Sequence, residues 1–160
     1  MLYHIPSIIS PDLLKVLDEM GHADCICIGD RNFPGHSLAQ NGNAVILRED
    51  GIKNAELLEA ILKLMPLDQN AEQAVMLMEK SDFDKDLDIA IWKTYEEIIK
   101  KYDSRGTEII KKLDRQNFYS HAGKSYCRNR RVGNLCEYCI EKRSYLTLIR
   151  KAPTTMPQRH

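Results

Sequence analysis

The run "CICIGD", Cys25 to Asp30, sets four apolar residues in unbroken succession and stops at a glycine and an aspartate. An amphipathic helix breaks such a run every few residues, and a half-buried strand alternates it. Four apolar residues with no polar face describe a strand covered on both sides, as in a parallel sheet between two layers of helices. "QAVMLMEK" repeats this character, and "NAVILRED" reads as a further strand. Cys25 and Cys27 are then small core residues rather than reactive thiols.

The intervening stretches have helical punctuation. "SPDLLKVLDEMG" offers Ser10 as N-cap, Pro11 at the first helical position, Asp12 in the first turn and Gly21 as the stop. Leu13, Leu14, Leu17 and Met20 give it one apolar face. "NAELLEAILKLMP" is helical with Asn54 as cap and Pro66 as stop. "DIAIWKTYEEIIKKY" is a longer helix that turns Ile91, Tyr95, Ile98 and Ile99 inward and leaves Glu97 and Lys101 as an i,i+4 pair. "TEIIKKLDR" reads as a short strand and "NFYSHAGKSY" as a last helix. Strand and helix alternating in this way predict a single three-layer α/β/α domain with a central, mostly parallel sheet.

At 160 residues one core is the economical arrangement. Lysine plus arginine equals aspartate plus glutamate at 23 each, so the chain lacks the basic excess of a nucleic-acid or anionic-membrane binder. Neither a basic leader nor an apolar stretch near the roughly 20 residues of a membrane span is found, and the expectation is a soluble, cytoplasmic protein. Five cysteines without a secretion signal point to reduced thiols.

In open α/β sheets ligands gather beyond the carboxyl ends of the strands, which is where Asp30 and the loop "DRNFPGHS" fall. His22 stands before the same strand, and a histidine titrates near neutrality and can act as acid or base. By pattern alone His22 fits equally a residue stabilising a helix C-terminus, Asp30 a turn former and His36 a surface loop residue. Spacing leaves the choice open.

The stretch "ISPDLLKVLDEMGHADCICIGDRNFPGHS" closely resembles the start of the RbsD/FucU family, in its L-fucose mutarotase branch, without a gap. "VILREDG", "LLEAILKLMPLD" and "DRQNFYSHAGKSY" extend the resemblance over about residues 1–126. The resemblance implies a cofactor-free, metal-free enzyme that interconverts the α and β anomers of L-fucose, with a pyranose/furanose exchange of ribose as a related activity. It implies a homodecameric ring whose ligand is a monosaccharide and not nucleic acid or membrane. Carried over by position, His22 is the general acid, and Asp30 and Arg115 are sugar ligands. Opening a cyclic hemiacetal requires a proton delivered to the ring oxygen as another leaves the anomeric hydroxyl. A carboxylate and a guanidinium can hold vicinal hydroxyls beside the acid. Tyr119 and His36 are weaker candidates for the pocket, and Phe33 and Trp92 read as packing residues.

Residues 127–160 depart from the family pattern, which ends in an apolar strand pair and a Tyr–Asn motif. Eight lysines and arginines follow from Arg128, against Glu137 and Glu141. Read one nucleotide later, codons for Cys127 through Ser144 can spell an ending of the family type that contains YANIALKKGV, so the segment is expected to be out of frame. Charges in place of an apolar strand pair would remove sheet pairing and one wall of the pocket. Two rival readings are a non-catalytic sugar-binding or assembly subunit, and an interaction protein in which His121, Cys127, Cys136 and Cys139 hold zinc.

Overall fold

A computed structural model describes residues 2–21, 24–42, 44–80, 88–122, 126–127 and 146–149. In chain order the elements are α1 (Pro11–Glu19), β1 (Cys25–Ile28), α2 (Gly35–Gly42), α3 (Asn54–Leu64), β2 (Val75–Met78) and α4 (Ala90–Tyr102). A 3-10 turn (Gly106–Ile109), β3 (Ile110–Leu113), α5 (Arg115–Ala122), β4 (Tyr126–Cys127) and β5 (Leu146–Ile149) follow.

The strands form one sheet in the order β3-β2-β5-β1-β4. β1 and β4 pair in parallel, as do β2 and β3, while β5 runs antiparallel between β1 and β2. Leu146 of β5 is opposite both Ile28 and Leu77, so the carboxyl ends of β1, β2 and β3 open on the same edge.

Alternation along the strands sorts their side chains into two layers. Ile26, Ile28, Val75 and Leu77 face a core closed by Leu13 and Leu17 of α1, Leu57, Leu58 and Ile61 of α3, and Tyr95 and Ile99 of α4. Cys27, Met76 and Met78 face the opposite way, onto Phe118 and Ala122 of α5, with Leu38 of α2 at the margin. Each fully buried aliphatic side chain contributes about 1.5–3 kcal/mol by leaving water. The three layers are those the apolar runs require.

Helix ends depart from the sequence reading in detail. Ser10 does cap α1, its hydroxyl accepting from the Leu13 N–H at 3.1 Å. The stop is Met20, in an extended conformation, rather than Gly21. At α3 the N-cap is Lys53, with Asn54 already helical, and the helix ends at Leu64 with Met65 extended ahead of Pro66. A residue before proline is pushed out of the helical region, which sets that boundary.

"NAVILRED" is not a strand: it carries an isolated bridge at Ile46, with Val45 exposed and Glu49 buried. The sheet position between β1 and β2 is held by β5. The Ser10 hydroxyl donates to the Glu49 carboxylate, which fastens this loop to the start of α1. Burial pushes the Glu49 carboxyl above its usual range, against the opposing pull of that hydrogen bond.

Lys101 does not pair with Glu97. Its Nζ lies 2.6 Å from Glu59 on α3, where the Tyr102 hydroxyl also donates at 3.2 Å, because the packed α3–α4 seam brings Glu59 nearer than the next turn of α4. Deeper in the fold Asp103 and Arg105 form a fork. Nε and Nη2 of Arg105 donate to the two Asp103 oxygens at 3.0 and 2.8 Å. Its remaining donors reach the carbonyls of Ala71 at 2.8 Å and Asp68 at 2.9 Å. The loop entering β2 is thereby fastened to the turn entering β3.

The end of the chain also differs from expectation. Leu146–Ile149 supplies the central strand instead of abolishing sheet pairing. "LTLI" is β-prone and largely apolar, so it suits a strand with neighbours on both sides.

Candidate functional site

The edge where the parallel strands end is built by two turns and the helices that follow them. Beyond β1, Gly29 is buried and Asp30 half-buried. The Asp30 carboxylate accepts the Asn32 N–H at 2.8 Å, and its carbonyl accepts the Phe33 N–H at 3.1 Å, closing a turn that leads through Pro34 into α2. Proline is favoured just ahead of a helix, and "FPGHS" makes the start of α2 legible in retrospect. His36 therefore sits on the first turn of a helix, exposed, rather than in a loop.

Beyond β3, Asp114 accepts the N–H groups of Gln116 at 2.9 Å and Asn117 at 3.0 Å, and the Asn117 side-chain amide as well. These donors hold its carboxyl below the usual range, the Asn117 backbone N–H first among them. The cap starts α5 at Arg115, which is exposed. Tyr119 follows one turn later on the same side of the helix. α5 then crosses β2 and β1 and meets α2.

Three aromatic rings join the two turns. Phe33 meets Tyr119 edge-on with centroids 5.7 Å apart, and Phe118 at 6.3 Å, at interplanar angles of 80° and 85°. Gly29 permits this: a Cβ there would lie 2.7 Å from the Phe33 ring. Phe118 is fully buried, whereas Phe33 and Tyr119 are partly uncovered.

Asp30, Phe33 and Tyr119 are thus brought together. Arg115 begins α5 on the far side of β2, and His36 lies on α2 beside them. His22 lies outside the described residues; its neighbours Gly21 and Asp24, whose N–H and carboxylate bond at 2.7 Å, border the amino end of β1. Of the proposed zinc ligands, Cys136 and Cys139 also lie outside. Among the described residues no group of three His, Cys, Asp or Glu is placed to hold a metal ion, and no helix is long and apolar enough to cross a membrane. Gly29 and Phe33 are the contributors that pattern reading undervalued. The signal was a glycine where the strand ends and an aromatic between Asp30 and Pro34.

Polar groups at the carboxyl edge of a layered α/β sheet define a small-ligand fold. The model of the RbsD / FucU transport protein family matches residues 3–131, and the chain belongs to that family. It is 44% identical over 124 residues to the fucose mutarotase of Mus musculus, covering 76% of this chain and 79% of the mouse protein. FucU from Bifidobacterium longum superposes with a TM-score of 0.80 at 39% identity, over 94% of this chain and 99% of that one. The fucose mutarotase of Streptococcus pneumoniae, in complex with L-fucose, gives 0.77 at 36% identity over 96% and 100%.

Proposed function

We propose that this protein is an L-fucose mutarotase, an isomerase that exchanges the α and β anomers of the free sugar by acid–base ring opening in the cytoplasm. The observation that carries the reading is the likeness, across nearly the whole chain, to a mutarotase whose structure contains L-fucose. Asp30, ahead of a partly covered aromatic surface, suits a ligand with hydroxyls on one side and C–H groups on the other.

The reaction moves protons only. An acid protonates the ring oxygen while the anomeric hydroxyl loses its proton, the C1–O5 bond opens to an aldehyde, and closure on the other carbonyl face reverses both transfers. His22 is the proton donor in this reading. Asp30 accepts from sugar hydroxyls and Arg115 donates to others, fixing the ring beside the acid. β1 and β3 are three strand spacings apart, about 14 Å, which an arginine side chain and a sugar ring bridge between them.

His22 precedes β1 and Asp30 follows it. Between them run the four strand residues of β1, about 13 Å. That order along the chain supports a site shared between two copies in a closed homo-oligomer, a ring of ten by family resemblance, one copy giving the acid and the other the carboxylate. Residues 1–126 form the mutarotase domain in this proposal, and residues 127–160 a divergent, out-of-frame end. Coding DNA whose codons cannot yield YANIALKKGV one nucleotide later refutes that last point.

The test of the activity is magnetisation exchange between the anomers of L-fucose by NMR. Acceleration by the purified chain, lost in His22→Ala, is expected. A folded protein that leaves the exchange rate unchanged overturns the reading.

A further inference from the structure

We propose that Phe33 determines which sugar the site takes, its ring receiving the methyl group that L-fucose carries where L-galactose carries a hydroxymethyl. The inference rests on the mutarotase reading and deepens it.

The ring has little freedom to be elsewhere. Its backbone N–H is held by the Asp30 carbonyl at 3.1 Å and its carbonyl by the Gly35 N–H at 2.8 Å. Pro34 confines its ψ to the extended region. Phe118 and Tyr119 meet it edge-on, and the bare backbone of Gly29 lies beneath it, where a Cβ would approach two ring atoms at 2.7 and 2.8 Å and the Phe33 Cβ at 2.9 Å. Packing on these neighbours still leaves the ring partly uncovered.

Phe33 is also the fourth residue of the turn that Asp30 begins. Turn geometry keeps their Cα atoms within about 7 Å. A sugar whose hydroxyls are held by Asp30 has an aromatic surface at a fixed distance on one side. The methyl group is the wholly apolar substituent of L-fucose and gains by covering that surface. A hydroxymethyl in its place must turn a hydroxyl towards the Phe33 ring, which offers it no in-plane acceptor, so the ring both favours the first sugar and penalises the second.

Anomer exchange of L-fucose and of L-galactose is measured by NMR for the wild type, Phe33→Leu and Gly29→Ala, with thermal melting to verify folding. Wild type should favour L-fucose by about tenfold or more in kcat/KM. Phe33→Leu removes the ring and Gly29→Ala displaces it, and each should bring the ratio to within about threefold. A slackened Asp30 slows both sugars alike, so the ratio, not the rate, decides. A ratio unchanged in either folded variant overturns the proposal. Saturation transfer from aromatic protons of the wild-type protein to the fucose methyl gives a readout needing no variant, and its absence in bound sugar also overturns it. If the wild type accelerates neither sugar, the mutarotase reading fails; the two sugars are then titrated against the protein, and equal affinities refute the role of Phe33 separately.

Discussion

Replacing Arg105 with alanine isolates the fork that joins the entrances of β2 and β3. The Asp103 side chain is 2% exposed and that of Arg105 24% exposed. Removing one partner of a buried, doubly hydrogen-bonded pair typically costs about 3–5 kcal/mol, because the remaining charge is stranded. Here Asp103 keeps the Gln69 amide at 3.0 Å and the Arg105 backbone N–H at 3.0 Å, and the arginine was partly solvated, so about 2–3 kcal/mol is expected. With a urea m value of about 2 kcal/mol/M, the midpoint falls by about 1–1.5 M at neutral pH, followed by Trp92 fluorescence. The Arg105 guanidinium, ahead of the other donors, holds the Asp103 carboxyl below its ordinary range. A folded-state value below the unfolded one gives stability that is present above the ordinary aspartate range and lost as pH falls through the depressed value. The gap between wild type and Arg105→Ala should therefore narrow as pH is lowered from about 7 to about 3. An unchanged midpoint at neutral pH, or a gap independent of pH, refutes the reasoning.

Glu49 carries the opposite sign. Its folded-state carboxyl is raised by burial, so the stability tied to its protonated form is present at low pH and lost as pH rises through the raised value. Glu49→Gln should match the wild type in acid and exceed it at neutral pH; urea midpoints at the two pH values test this, and a variant less stable at neutral pH contradicts it. The composite site predicts that His22→Ala and Asp30→Ala, each inactive, recover about a quarter of wild-type exchange when refolded together in equal amounts, since random pairing leaves that share of interfaces intact. Inactivity of the mixture, with mixed oligomers shown by mass spectrometry, would place both groups in one copy. Lys101→Ala should leave the thermal melting temperature close to that of the wild type, because the Lys101 side chain is exposed and a solvated ion pair contributes little; a marked fall would show that the α3–α4 seam depends on it.

How far the sequence reveals this molecule depends on the range of the interactions involved. β1, β2 and α1 could be read because apolar runs and caps act over a few residues, and Asp30 could be placed because it follows β1 directly. The misreading of "NAVILRED" shows the limit of local character: Ile46 and Leu47 are strand-like, yet the segment is held as a loop by the contact of Glu49 with Ser10, 39 residues away. The Lys101–Glu59 pair and the fork at Asp103 likewise depend on which helices pack together, which no local window contains. α2 was hidden because "GHSLAQNG" has weak helix formers and is held by Pro34 and the turn before it. At the site, the charged candidates were apparent from residue type, whereas the ring of Phe33 gains its meaning only from Gly29 beneath it and α5 beside it.

The antiparallel β5 has a consequence for how the chain acquires its structure. β4 can join β1, and β3 can join β2, without it, but among the described residues the two parallel pairs meet through Leu146–Ile149. During synthesis the helices α1 to α5 and both half-sheets therefore emerge from the ribosome before the strand that unites them. Until then the inner edges of β1 and β2 stand open, each with unpaired backbone groups and an apolar strand behind them. Such an intermediate closes slowly, because the joining contacts are the most distant in sequence, and it is the species that chaperones would meet or that would aggregate.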